Sequence, residues 1–179
     1  MVDDKRTRHT EERIEKAMLA CLADTSPDKV TVVQLCKAAG INRGTFYAHY
    51  TGTLALYNSM ERKMTKFLER IVRDVNKNSI TYMDAIVYFL ENAQKNKEPF
   101  LALYKANSQS IKQTLTDAFT DALANKHFPG NSEFKGEKSY AVEFYVNGIL
   151  SITNTWLREK EPASVDRMAR LIYRLTVRE

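Results

Sequence analysis

Residues 31–50, TVVQLCKAAGINRGTFYAHY, constrain this chain more than any other stretch. They read as two short helices around a tight corner. Thr31 and Gln34 have the spacing of a capping box, which fixes a helix start by satisfying two orphan N–H donors reciprocally. Ala38, Ala39 and Gly40 make a small-residue corner. Gly40 is the residue expected at positive φ, where a Cβ would be strained. Asn42 is placed to cap the following helix, Arg43–His49. Cys36, four places before Gly40, is small enough to let that helix cross closely. Ile41 and Phe46 face inward and fix it. Arg43, Gly44, Thr45, Tyr47 and His49 are left on the outer faces. A helix-turn-helix reads DNA with a second helix of this kind.

The rest of the chain is helical too. With 6 Gly and 4 Pro in 179 residues, turns are few and helices long. Strand alternation, internal repeats and low-complexity tracts are absent from the sequence. The expected fold class is all-α, with about nine helices in two parts: an N-terminal helix-turn-helix domain over residues 1–52 and a C-terminal helical domain over 53–179.

The first helix is expected to start after Thr10, a good N-cap, and to bury Ile14, Ala17, Met18, Cys21 and Leu22. Residues 1–9 then form an arm. Lys5, Arg6 and Arg8 in it either reach a phosphate or groove or are simply solvated. A linker, Thr51-Gly52-Thr53, leads into a long fourth helix. Further helices are expected over about 81–96, 99–106, 109–125, 139–160 and 163–177, with 126–138 as the one clear loop. The helix over 139–160 is apolar on most of its circumference, which means burial on two sides. It is either the central helix of one chain or, with the last helix, part of a four-helix interface between two copies. The dimer is the expectation carried forward, through Val142, Val146, Ile149, Leu150, Thr153, Trp156, Leu157, Met168, Leu171, Ile172 and Leu175.

Composition adds exclusions. The net charge of +5 is spread thinly: 8 Lys/Arg face 7 Asp/Glu over residues 1–50, and 6 face 3 over 51–80. DNA binding must therefore rest on placed contacts, not on bulk charge. The N-terminus is polar and the two cysteines fall on apolar helix faces, so a reduced, cytoplasmic setting is expected, with no membrane span. His9, His49 and His127 do not cluster with other ligands, so no metal and no cofactor is expected. No nucleophile stands with a base at a known spacing and no Gly-rich phosphate loop is present, so the chain is not read as an enzyme.

The run Ala39-Gly40-Ile41-Asn42-Arg43-Gly44-Thr45-Phe46-Tyr47-Ala48-His49-Tyr50, with a capped helix before it and a long helix after it, resembles the TetR family of bacterial transcription regulators. The resemblance is close over residues 9–60. It implies a homodimer that binds double-stranded operator DNA, with a repressor released by a small-molecule ligand as the first reading and an activator or adaptor with a protein partner as the second. It also implies operator contacts from Thr31, Asn42, Arg43, Gly44, Thr45, Tyr47, His49 and Thr53. Arg43 is the choice for base reading, because Arg pairs bidentately with guanine. Tyr47 and His49 are expected on phosphates. One departure stands out: the family usually carries Lys where this chain has Thr53. The segment from Phe144 to Leu157 is similar, more loosely, to a C-terminal domain found in regulators linked to dihydroxyacetone kinase. The family further implies a ligand cavity, for which Met60, Met64, Phe67, Phe89, Tyr104, Phe119 and Tyr145 are the candidate lining.

Overall fold

The computed structural model describes residues 2–106, 109–124 and 137–177. Nine α-helices and one short 3₁₀ turn occur among the described residues, and no strand does. The helices are α1 (Val2–Leu22), α2 (Val32–Ala39), α3 (Arg43–His49), α4 (Thr53–Asn76), α5 (Tyr82–Lys95), α6 (Lys97–Lys105), α7 (Gln109–Ala124), α8 (Lys138–Arg158) and α9 (Val165–Thr176), with the 3₁₀ turn at Pro27–Lys29. The expected loop over 126–138 lies almost wholly outside the described residues.

Helix α1 starts earlier than expected, so the arm over residues 1–9 is helix from Val2 onward. The stretch holds no Gly or Pro to break it. Thr10, the expected cap, sits inside the helix, where its hydroxyl donates back to the Arg6 carbonyl at 3.0 Å. Such back-bonding is the alternative to capping that a helical Thr takes. At the other end of α4, Asn78 adopts φ 53° and Ser79 N–H reaches the Asp74 carbonyl at 2.9 Å. Asn tolerates this left-handed geometry, which stops the helix. Thr81 caps α5 through a reciprocal box with Asp84.

Helix α2 packs on α1 and α3, and α1 and the 3₁₀ turn pack on α4, forming a head. Helices α5 to α9 and the rest of α4 form the body. There α7 lies against α4 and α8, α5 against α9, and α6 against α8. Head and body also meet through α6, which packs on α1, and Lys105 Nζ donates to the Ala23 carbonyl just past the end of α1.

Candidate nucleic-acid interface

The corner between α2 and α3 is built by local rules. Thr31 Oγ1 accepts the Gln34 N–H at 3.3 Å, and Gln34 Oε1 accepts the Thr31 N–H at 2.8 Å. Gly40 has φ 62° and ψ 42°, and Ile41 N–H closes the turn on the Cys36 carbonyl at 3.0 Å. Asn42 Oδ1 accepts the Thr45 N–H at 2.7 Å and so starts α3. Phe46 is fully buried, edge-on to Tyr47 with centroids 5.5 Å apart, and it anchors α3 in the head.

Two residues of α1 that the sequence reading did not single out hold this corner in place. Arg13 Nη2 donates to the carbonyls of Ala39 and Gly40, satisfying the acceptors left open at the end of α2. A Cβ at position 40 would lie 3.0 Å from that nitrogen, a second reason for glycine there. Glu15 accepts a hydrogen bond from the Tyr50 hydroxyl at 3.4 Å and pairs with Lys63 of α4. Burial, followed by the nearby Glu15 and Glu11 charges, pushes the Tyr50 phenol well above its ordinary range, so it remains a donor. One carboxylate thus joins α1, the end of α3 and α4.

The outer face of α3 presents Arg43, Gly44, Tyr47 and Ala48 to solvent. Arg43 and Tyr47 are one turn apart and share a face; Tyr47 is 56% exposed despite its large ring. Thr45 is half-buried. Thr31 is exposed, but its hydroxyl already donates to Gln34 Oε1 at 2.8 Å. Asn42 is exposed, with its side-chain oxygen committed to the cap. A Cβ at Gly44 would meet that oxygen at 3.3 Å, so bulk at position 44 would crowd the cap as well as the outer face.

His49 sits differently from the expectation. Its side chain is only 14% exposed and its Nδ1 lies 3.5 Å from Glu11 of α1. The ring is turned into the α1–α3 packing and away from the face that carries Arg43. Gly52 is the N-cap of α4, no side chain caps that end, and Thr53 is the first helical residue. The first N–H groups of α4 therefore have no partner within the helix.

The seven residues expected to line one cavity fall at three separate places. Phe89 and Phe119 border an apolar cavity of about 90 Å³ between α4, α5, α7 and α8, lined also by Leu68, Ile71, Ile86, Leu115 and Ile149. Tyr145 is buried beside it, stacked on Phe119 at 6.1 Å. Tyr104 borders a cleft with Phe100, Ile111 and Leu150. Met60, Met64 and Phe67 border a pocket against α1. At the edge of the apolar cavity, the Tyr82 hydroxyl lies 3.0 Å from Thr176 Oγ1 and ties α5 to α9. Burial raises the Tyr82 phenol well above its usual range.

The expected interface residues of α8 are placed inside the single chain. Val142, Val146, Ile149, Leu150, Thr153, Trp156 and Leu157 are all buried by the chain's own helices, as is Ile172 of α9. Trp156 Nε1 donates to the Ala163 carbonyl at 2.8 Å, and Thr153 Oγ1 donates to the Ile149 carbonyl at 2.7 Å. This burial has a simple cause: α5, α6 and α7 pack against α8. Met168 is half-buried, and only Leu171 and Leu175 of the expected set are exposed. The apolar residues that α8 does expose are Tyr140 and Phe144.

No cluster of potential metal ligands occurs among the described residues, and no described helix is long and apolar enough to cross a membrane. A family model for the C-terminal region of TetR-type transcriptional regulators matches residues 81–178. No curated protein matches the chain significantly. Among solved structures, the chain is similar to a TetR transcriptional regulator from Streptococcus agalactiae 2603V, at 16% identity and TM-score 0.68, over 99% of each chain. It is similar to the regulator FadR from Bacillus subtilis in complex with stearoyl-CoA, at 17% identity and TM-score 0.61, over 93% of this chain and 97% of that one. The dihydroxyacetone kinase operon activator DhaS matches at 17% identity and TM-score 0.53, over 93% of both. At these identities the likeness is one of fold.

Proposed function

Because the chain belongs to the TetR family of transcriptional regulators, we propose that it binds operator DNA as a homodimer through α3 and leaves it when a small ligand occupies the body. The observation that carries this reading is the outward face of α3. Arg43 and Tyr47 stand exposed on a helix whose corner, cap and anchor residue are all satisfied from within. A rigid helix with a free Arg is what base reading in the major groove requires. Tyr47, the open N-terminus of α4 and the half-buried Thr45 hydroxyl supply phosphate contacts that set the register. His49 acts from behind, by holding α3 against α1.

The second copy docks on the exposed apolar residues of the last two helices: Tyr140 and Phe144 of α8, and Leu171 and Leu175 of α9. Exposed apolar surface of this kind marks interfaces. The effector's seat is the apolar cavity at Phe89 and Phe119. At about 90 Å³ it is smaller than the ~150 Å³ that admits benzene, and in this reading the ligand widens it. Opening moves α4, whose start adjoins α3 through three linker residues, and so resets the spacing of the two reading helices. The ligand must prefer the spacing that does not fit DNA.

A mobility shift on the DNA upstream of the chain's own gene tests the reading. Wild type shifts it at low salt, and Arg43→Ala weakens and broadens the preference. An unshifted probe, with the protein dimeric in solution, would favour an adaptor that works with a protein partner. Thr53 supports that second reading, since it cannot release a counterion as a lysine would.

A further inference from the structure

A second pocket, of about 150 Å³, lies where the head meets the body, between α1, α4, the end of α5 and the start of α6. It is separate from the apolar cavity and plays no part in the function proposed above. Its volume is that of a site for one aromatic ring. Met60, Met64 and Phe67 supply the apolar wall, and thioethers make favourable contacts with ring edges. The Arg70 guanidinium, outside the pocket, rests 5.6 Å from the Phe67 ring centroid and helps to hold that ring in place.

The polar side of the pocket is acceptor-rich. Asn96 uses an amide N–H on the Asn92 carbonyl at 3.0 Å, which leaves its side-chain oxygen to accept. Glu15 is only 21% exposed. Its bonds from Tyr50 and Lys63 both fall on Oε1, and Oε2 takes no hydrogen bond among the described residues. Lys63, the one cation on the rim, is 59% exposed. An ion pair with so exposed a partner is weak and easily exchanged.

We propose that this pocket binds a small aromatic ammonium ion, with its ring between Met60, Met64 and Phe67 and its charge on Glu15 in place of Lys63. A ligand amine that takes Glu15 releases α4 from the carboxylate that also holds Tyr50 at the end of the reading helix. The site would then act on the head directly, without passing through the body. Only that last consequence rests on the function proposed above.

Benzylammonium titrated into the full chain without DNA tests the site, followed by the methyl resonances of Met60 and Met64 and by calorimetry. Benzyl alcohol and benzoate are the controls. The expected result is saturable shifts of both methyls with benzylammonium and far weaker ones with either control. Glu15→Gln is expected to weaken binding by about tenfold or more, the loss of one charge-assisted hydrogen bond. Lys63→Met is expected to strengthen it several-fold, because a competing cation is gone, and this variant keeps the test open if Glu15→Gln folds poorly. Equal binding of benzyl alcohol or benzoate, absence of any shift at millimolar benzylammonium, or unchanged affinity in both variants would overturn the proposal. Since no DNA is present, failure here leaves operator reading untouched, and a chain that reads no operator can still pass.

Discussion

Head and body are packed by different means. In the head, each helix end near the corner has a specified partner: Thr31 with Gln34, Arg13 with the Ala39 and Gly40 carbonyls, Asn42 with Thr45. Phe46 is fully buried. In the body, long helices meet through aliphatic and aromatic faces and leave gaps, among them the cavity of about 90 Å³ beside Phe89. The proposed function uses that difference: the head keeps its shape and a ligand rearranges the body. A regulator needs both: a rigid reader and a core whose packing a ligand can alter.

That contrast can be broken by substitution. The largest effect is expected at Phe46. Phe46→Ala removes the anchor of α3 and should cost about 3–5 kcal/mol, read by urea unfolding, with operator binding lost along with it. A cost under about 1 kcal/mol would mean that the head is not tightly packed. Next comes Arg43→Ala, which should cost about 1–3 kcal/mol of operator affinity and relax specificity at one base position. Its melting temperature should not move, because Arg43 is exposed. Gly40→Ala should destabilise by about 1–2 kcal/mol, through both its left-handed φ and the Arg13 contact.

The body should respond with the opposite sign. Ala118→Val adds volume beside the cavity and should stabilise by about 0.5–1 kcal/mol, while any ligand that needs this space binds less well. A destabilisation there would show the body to be as tightly fitted as the head. The smallest effect is expected from Thr53→Lys at the first residue of α4. It should leave stability unchanged and steepen the salt dependence of operator binding by about one unit of slope per subunit.

The same contrast decides what could be read from the sequence. The capping box at Thr31, the left-handed Gly40, the Asn42 cap and buried Phe46 obey rules that span three to five residues, so the corner was legible to the residue. Arg13 and Glu15 were not. Their partners are Gly40, Tyr50 and Lys63, up to 48 positions away, and no local pattern announces them. Helix α8 shows the limit most clearly. Its all-round apolar surface correctly signals burial, but periodicity does not say whether the chain's own helices or a second copy supply the cover. Val142, Val146 and Trp156, chosen for a partner copy, are buried by the chain's own helices, whereas Phe144 on the same helix is exposed. Likewise, Met and aromatic residues at helical spacing marked the body's interior but did not show that it divides into separate cavities.

The central claim is that the exposed face of α3 reads DNA. Footprinting on the upstream DNA, comparing wild type with Arg43→Ala at one salt concentration, tests it most directly. The account predicts protection of two symmetry-related half-sites by wild type and loss of that protection in the variant, with no change in fold or oligomeric state. Identical protection by both proteins would contradict it.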